Sequence, residues 1–181
     1  MPMRNFTLLL SALCVFLLAG TAQAQQDKSQ RPSPTTTASS HLGEAKIVIT
    51  YGSPAVKNRS VWGKLVPYGK IWRTGANEAT TFEVSTDVMV EGKKLPAGRY
   101  ALFTIPEEDS WTIIFNKDAD QWGAYNYDEK KDVLRIEATP AKNGEFSERL
   151  TFAVIPDGNK EASVTMFWEK IAVGFKLTPA K

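Results

Sequence analysis

From Leu42 onward, apolar and polar residues alternate in short runs. Ile47, Ile49 and Tyr51 fall on one face of an extended segment, with Val48 and Thr50 on the other. Phe82 and Val84 alternate with Thr81, Glu83 and Ser85, and Val88 and Val90 follow before the turn Glu91-Gly92-Lys93-Lys94. A period of two marks a strand with one buried face. Residues 100–105 are almost continuously apolar, as in a strand covered on both sides. Glu107-Glu108-Asp109-Ser110 turns the chain into a further run at 111–115. Runs at 133–138, 150–155, 164–168 and 171–177 complete the set, with Pro156-Asp157-Gly158-Asn159 as the clearest turn between them. The pattern predicts eight or nine short strands and no amphipathic helix of three turns. That is an all-β chain, an antiparallel β-sandwich. A doubly wound parallel sheet would need crossover helices, which the pattern lacks.

The first residues follow a different logic. Arg4 supplies a positive start, residues 8–18 are apolar except for Ser11, and Ala22-Gln23-Ala24 has the small-x-small form of a cleavage site. Residues 1–24 therefore read as an export signal, which places the protein in the periplasm or outside the cell. The apolar run falls short of the roughly 20 residues of a membrane span, so none is expected once the signal is removed. Cys14 follows the bulky Leu13 inside this run, which does not suit a lipidation site. Residues 25–40 are rich in Gln, Ser, Thr and Pro and read as a flexible tether, whose Pro-Ser-Pro-Thr portion could lie along a sheet edge. Residues 41–181 then form a single domain.

Composition narrows the chemistry. The chain has 22 Lys+Arg against 20 Asp+Glu, a formal charge of +2, so no broad field favours nucleic acid or an acidic membrane. One cysteine, lost with the signal, rules out a disulfide framework and thiolate zinc sites. The single histidine, His41, sits beside Ser39-Ser40 at the edge of the tether, where a general base of a Ser-His-Asp triad would have no fixed position.

Two segments are too long and too chemically loaded for plain hairpin turns: 56–80 and 116–128. Three of the five tryptophans, Trp62, Trp72 and Trp122, lie in them, each within three residues of a glycine. Such rings either anchor the loops onto the sandwich or face a ligand, and Trp122 is the first candidate for the second role. Trp111 and Trp168 lie in strand runs and read as core.

Long motifs in these segments carry a resemblance. I-W-R-T-G-A-N-E-A-T-T (71–81), L-P-A-G-R-Y-A-L-F-T-I-P (95–106) and F-N-K-D-A-D-Q-W-G-A-Y-N-Y (115–127) resemble a family of exported bacterial proteins, common in Bacteroidetes and related phyla, known only as a domain of unknown function. R-P-S-P (31–34) and Y-G-S-P-A-V-K-N-R (51–59) are similar to its N-terminal pattern. The resemblance runs over about residues 31–177 and implies an exported β-rich domain. It implies no catalytic residues.

The residues themselves suggest a binding site. Arg59 and Arg73 offer planar forks for carboxylate or phosphate, Asn77, Glu78 and Asp120 offer amide and acid groups, and Trp72, Trp122 and Tyr125 offer rings, with Tyr127 nearby. A small molecule, glycan or peptide terminus would suit that mixture. The same side chains could instead close on one another, with Arg73 paired to Glu78 or Asp120 as an internal clamp. Glu78 and Asp120 could also serve as the two carboxylates of a glycan hydrolase if the loops meet. Asn116, Asp118 and Asp120 have the i, i+2, i+4 spacing that opens a calcium loop, but Gln121 stands where the turn glycine belongs and Tyr127 where the bidentate glutamate belongs. No metal or cofactor is therefore expected, with calcium at those three residues as the alternative. The expectation is a monomeric, non-catalytic binding or accessory module, with a carboxylate-dependent hydrolase and a purely structural envelope protein as alternatives.

Overall fold

Ile47, Ile49 and Tyr51 are buried while Lys46 is exposed and Val48 and Thr50 are half-buried, so the two-residue period at the start of the domain does mark a strand with its apolar face inward. The computed structural model describes residues 27–180, and the expected export signal lies outside them. Ten strands form two antiparallel sheets. The first, six-stranded sheet contains β1 (Thr35–Leu42), β2 (Ala45–Gly52), β3 (Thr81–Val84), β6 (Gly98–Pro106), β7 (Trp111–Asn116) and β8 (Asp132–Ala138), in that spatial order. In the second, β5 (Lys93–Leu95), β4 (Val88–Val90), β10 (Glu161–Pro179) and β9 (Ala141–Asp157) lie side by side. The architecture is a β-sandwich.

The core lies between the sheets. Phe82 of β3, Phe115 of β7 and Phe175 of β10 meet edge to face with centroids 5.1–5.9 Å apart. Phe103 and Ile114 are also fully buried, on the other face of the first sheet, beneath Ile71, Ala124 and Tyr127 of the two long segments. This covering explains why residues 100–105 are apolar on both faces.

Three details depart from the sequence pattern. Residues 35–40, expected in the tether, belong to β1, which pairs with β2 along its whole length from Thr35 opposite Gly52 to Leu42 opposite Ala45. An edge strand is held by main-chain hydrogen bonds, so β-prone threonines can form it with few apolar side chains. The runs at 164–168 and 171–177 are one long strand, β10, which shifts register at Glu169, where φ is +57°. β5 has one apolar residue in three and carries no periodic signal; it is fixed by a two-residue turn at Glu91 and Gly92, both with positive φ, as a primed hairpin turn requires. Among the described residues, no helix is long and apolar enough to cross a membrane.

Candidate functional site

The first long segment leaves β2 at Gly52 and returns at β3, and its course is set by a close backbone contact. The Ala76 amide donates to the Gly52 carbonyl at 3.2 Å, and a Cβ on Gly52 would collide with the Ala76 carbonyl. Trp72 exchanges two main-chain hydrogen bonds with Thr104 of β6, at 2.8 and 2.9 Å. Between these fixed points Thr74 is buried with φ of +53°, a strained conformation for a β-branched residue. Its hydroxyl lies 3.1 Å from that of Thr104, and its carbonyl accepts from the Thr80 hydroxyl at 2.9 Å.

The two long segments do meet. Glu78 and Trp122 form an isolated antiparallel bridge, the Ala79 amide donates to the Gln121 carbonyl, and the Gly123 amide donates to that of Asn77. The tryptophans divide accordingly. Trp62 and Trp72 pack with Trp111 of β7 and Trp168 of β10 in a cluster whose centroids are 5.0–6.3 Å apart, joining the loop to both sheets. Trp122 stays outside this cluster and is 54% exposed, with the Arg31 guanidinium 6.0 Å from its ring centroid. Tyr125 is more exposed still, its ring edge resting over Gly123.

The expected site residues separate into two clefts. The first, about 340 Å³, is lined by Glu78, Asp120 and Trp122 together with Lys28, Arg99 and threonines of β1, β2 and β3. Its charges are paired. Both Glu78 oxygens accept from Arg31 Nη1 at 2.9 and 3.0 Å, and Lys28 Nζ lies 3.0 Å from Oε1. Asp120 pairs with Arg99 at 2.6 Å. Burial pushes the Glu78 carboxyl up, but its own backbone N–H and the Lys28 and Arg31 cations outweigh this and hold it below the ordinary value. Neither acid is paired with Arg73, so the Arg73 clamp does not form, and the two segments are joined through main chain instead.

The second cleft, about 300 Å³, takes Arg59, Trp72, Arg73 and Asn77, against Leu65 and Trp168, while Tyr125 lines neither. Arg59 is pinned by donating from Nε to the Val56 carbonyl at 3.0 Å and from Nη2 to that of Ala55 at 2.6 Å. Asn77, with φ of +64°, donates from its amide to the Ser33 carbonyl at 2.9 Å, and Trp72 Nε1 donates to the Gly75 carbonyl at 3.2 Å.

The calcium-like triplet disperses. Asn116 is fully buried and donates to the Asp128 carbonyl and the Asp132 carboxylate, Asp118 pairs with Lys131, and Asp120 turns to Arg99. No group of three or more His, Cys, Asp or Glu side chains among the described residues could hold a metal ion. Tyr127 serves the loop rather than a cleft. Its hydroxyl donates to Asp132 at 2.6 Å and accepts from Arg135 at 2.7 Å, and burial together with the Asp132 carboxylate pushes its pKa up to about 12.

The contributions missing from the sequence reading are Lys28 and Arg31, placed in the supposed tether, and Arg99. The signal for Arg99 was its place as the one exposed charged residue just before the apolar run of β6, on the face opposite the buried Tyr100. A family model described as "Protein of unknown function (DUF2911)" matches residues 33–177. Comparison with curated proteins and with solved structures finds no match.

Proposed function

The chain belongs to the family of proteins of unknown function DUF2911, and we propose that it is an exported, non-catalytic binding module whose first cleft takes a neutral, polyhydroxylated ligand such as a glycan. One observation carries this. Trp122 is a large ring held half-exposed at a cleft by a main-chain bridge to Glu78, whereas Trp62 and Trp72, from the other long segment, are packed into the Trp cluster. A rigid amphipathic ring beside hydroxyls and fixed polar groups is the usual equipment of a site that stacks and hydrogen-bonds its ligand. Because both carboxylates of the cleft are already paired with cations, it offers a ligand fixed and oriented polar groups rather than free carboxylates.

The test is titration of the protein with neutral cello-, malto- and xylo-oligosaccharides, followed by tryptophan fluorescence and calorimetry. Saturable binding to one series that is lost in Trp122→Ala, with the fold intact, supports the module. Binding that survives Trp122→Ala, or no binding to any series, overturns it.

A glycan hydrolase has one observation in its favour: Glu78 and Asp120 line the same cleft. Against it, a general acid must hold a proton near neutral pH, and Glu78 is kept ionised by its neighbours. A hydrolase would release reducing ends from one of these series and lose that activity in both Glu78→Gln and Asp120→Asn.

A further inference from the structure

Among the described residues, Arg73 is the arginine that the fold leaves without a partner. Arg31, Arg99 and Arg135 each pair with a carboxylate, and Arg59 and Arg149 donate to main-chain carbonyls. Among the described residues, the Arg73 side chain makes no hydrogen bond or ion pair, and its Nε is buried with no acceptor. Trp168, which lines the same cleft, also has its indole N–H buried without an acceptor. Unsatisfied buried donors are uncommon and costly, and a charged one more so. Of the three such donors among the described residues, two belong to residues of this single cleft.

Among the described residues no Asp or Glu lines the cleft, and Arg59, an exposed residue fixed through Nε and Nη2, keeps its Nη1 free for a further acceptor. Donors here await acceptors. The strained Thr74 follows Arg73 directly, and strain of this kind persists where surrounding structure holds a group in a required place. Pro54, Leu65, Val66 and Trp72 supply apolar walls, with Ser33 and Asn77 beside them.

We infer that this cleft binds an amphipathic carboxylate, its oxygens taken by Arg73 and Arg59 and its compact apolar group resting against Leu65, Val66 and Trp72. The planar forks match a carboxylate, and the volume of about 300 Å³ admits a small group rather than an extended chain. A free carboxylic acid and the C-terminal residue of a peptide present the same chemistry. Burial pushes the Arg73 pKa down, with Tyr125 opposing, but a guanidinium stays charged at physiological pH and still requires a counter-charge. This site does not depend on the Trp122 cleft.

The experiment is calorimetric titration of the purified protein with hexanoate and with N-acetyl-alanyl-leucine, each beside its neutral amide, and with inorganic phosphate. At least one acid is expected to bind, with its amide inactive. Arg73→Gln should weaken that binding about tenfold or more, as loss of a charge-assisted pair does. Arg73→Lys should restore it only in part, and Trp122→Ala should leave it unchanged. Hexanoate as the sole binder identifies a free acid as the source, whereas binding of the dipeptide identifies a chain terminus. If Arg73→Gln fails to fold by circular dichroism, Arg59→Gln takes its place, with the same weakening expected. Failure of both acids to bind, equal binding of acid and amide, phosphate as tight as the acids, or unchanged affinity in a folded arginine variant overturns the inference.

Discussion

Glu78 and Trp122 face each other across an antiparallel bridge, so a carboxylate that gathers Lys28 and Arg31 and an indole half-open to solvent share one piece of main chain. The bridge turns two loops into a platform with a cleft on it. Arg31 completes it from the N-terminal side, contacting Glu78 and lying over the Trp122 ring.

The tryptophans should separate by thermodynamics. Trp62→Ala removes a ring in contact with Trp72, Trp111 and Trp168, and should cost about 3–5 kcal/mol in urea unfolding. Trp122→Ala, at an exposed position, should cost under about 1 kcal/mol. A large loss at Trp122 would make that ring an anchor rather than a ligand contact.

Gly52→Ala should destabilise the protein by about 1–3 kcal/mol, the usual range for overpacking, because its new methyl meets main chain that cannot swing away. Gly92→Ala offers a control: its Cβ meets nothing within 4 Å, though φ of +76° leaves some strain. Equal losses in the two variants would deny the Gly52–Ala76 contact its role in placing residues 73–78.

Glu78 makes acid stability a readout of the N-terminal contact. Its folded pKa lies below the ordinary 4.5. Its stabilising contribution is therefore present above the unfolded value and lost as pH falls through the folded one. Because the group is partly exposed, the effect should be about 1 kcal/mol or less. The difference in melting temperature between wild type and Glu78→Gln should shrink as pH falls from 6 toward 3, and a difference that persists at pH 3 contradicts this.

Tyr127 gives the opposite sign. With its pKa raised from 10 to about 12, the folded state holds a proton that the unfolded state releases, so stability falls as pH rises between those values. Tyr127→Phe should remove that part of the alkaline loss, measured by urea unfolding at pH 9 and 11.

Strands with an apolar stripe were legible in the sequence. Ile47, Ile49 and Tyr51 fixed β2, and the Pro156–Asn159 turn marked where β9 gives way to β10. β1 was legible only at its start, where Pro34 and Thr35 lie on the sheet edge as expected; Thr36 and Thr37 bury little and are held by pairing with β2, a relation that no local pattern encodes. The cleft residues were legible as chemical types but not as neighbours. Glu78 and Asp120 share a cleft because of the bridge at Trp122, while Arg59 and Arg73 share another, and spacing along the chain indicates neither. The partners of Glu78 were hidden in Lys28 and Arg31, whose polar surroundings resemble a tether until the carboxylate that orders them is seen.

The most direct test of the binding account is tryptophan fluorescence of the protein titrated with the neutral oligosaccharides, wild type beside Trp122→Ala. The account predicts a saturable change with one series in wild type that vanishes in the variant, while both proteins melt within a few degrees of each other. An identical titration in the two proteins, or a flat response to every series, would contradict it.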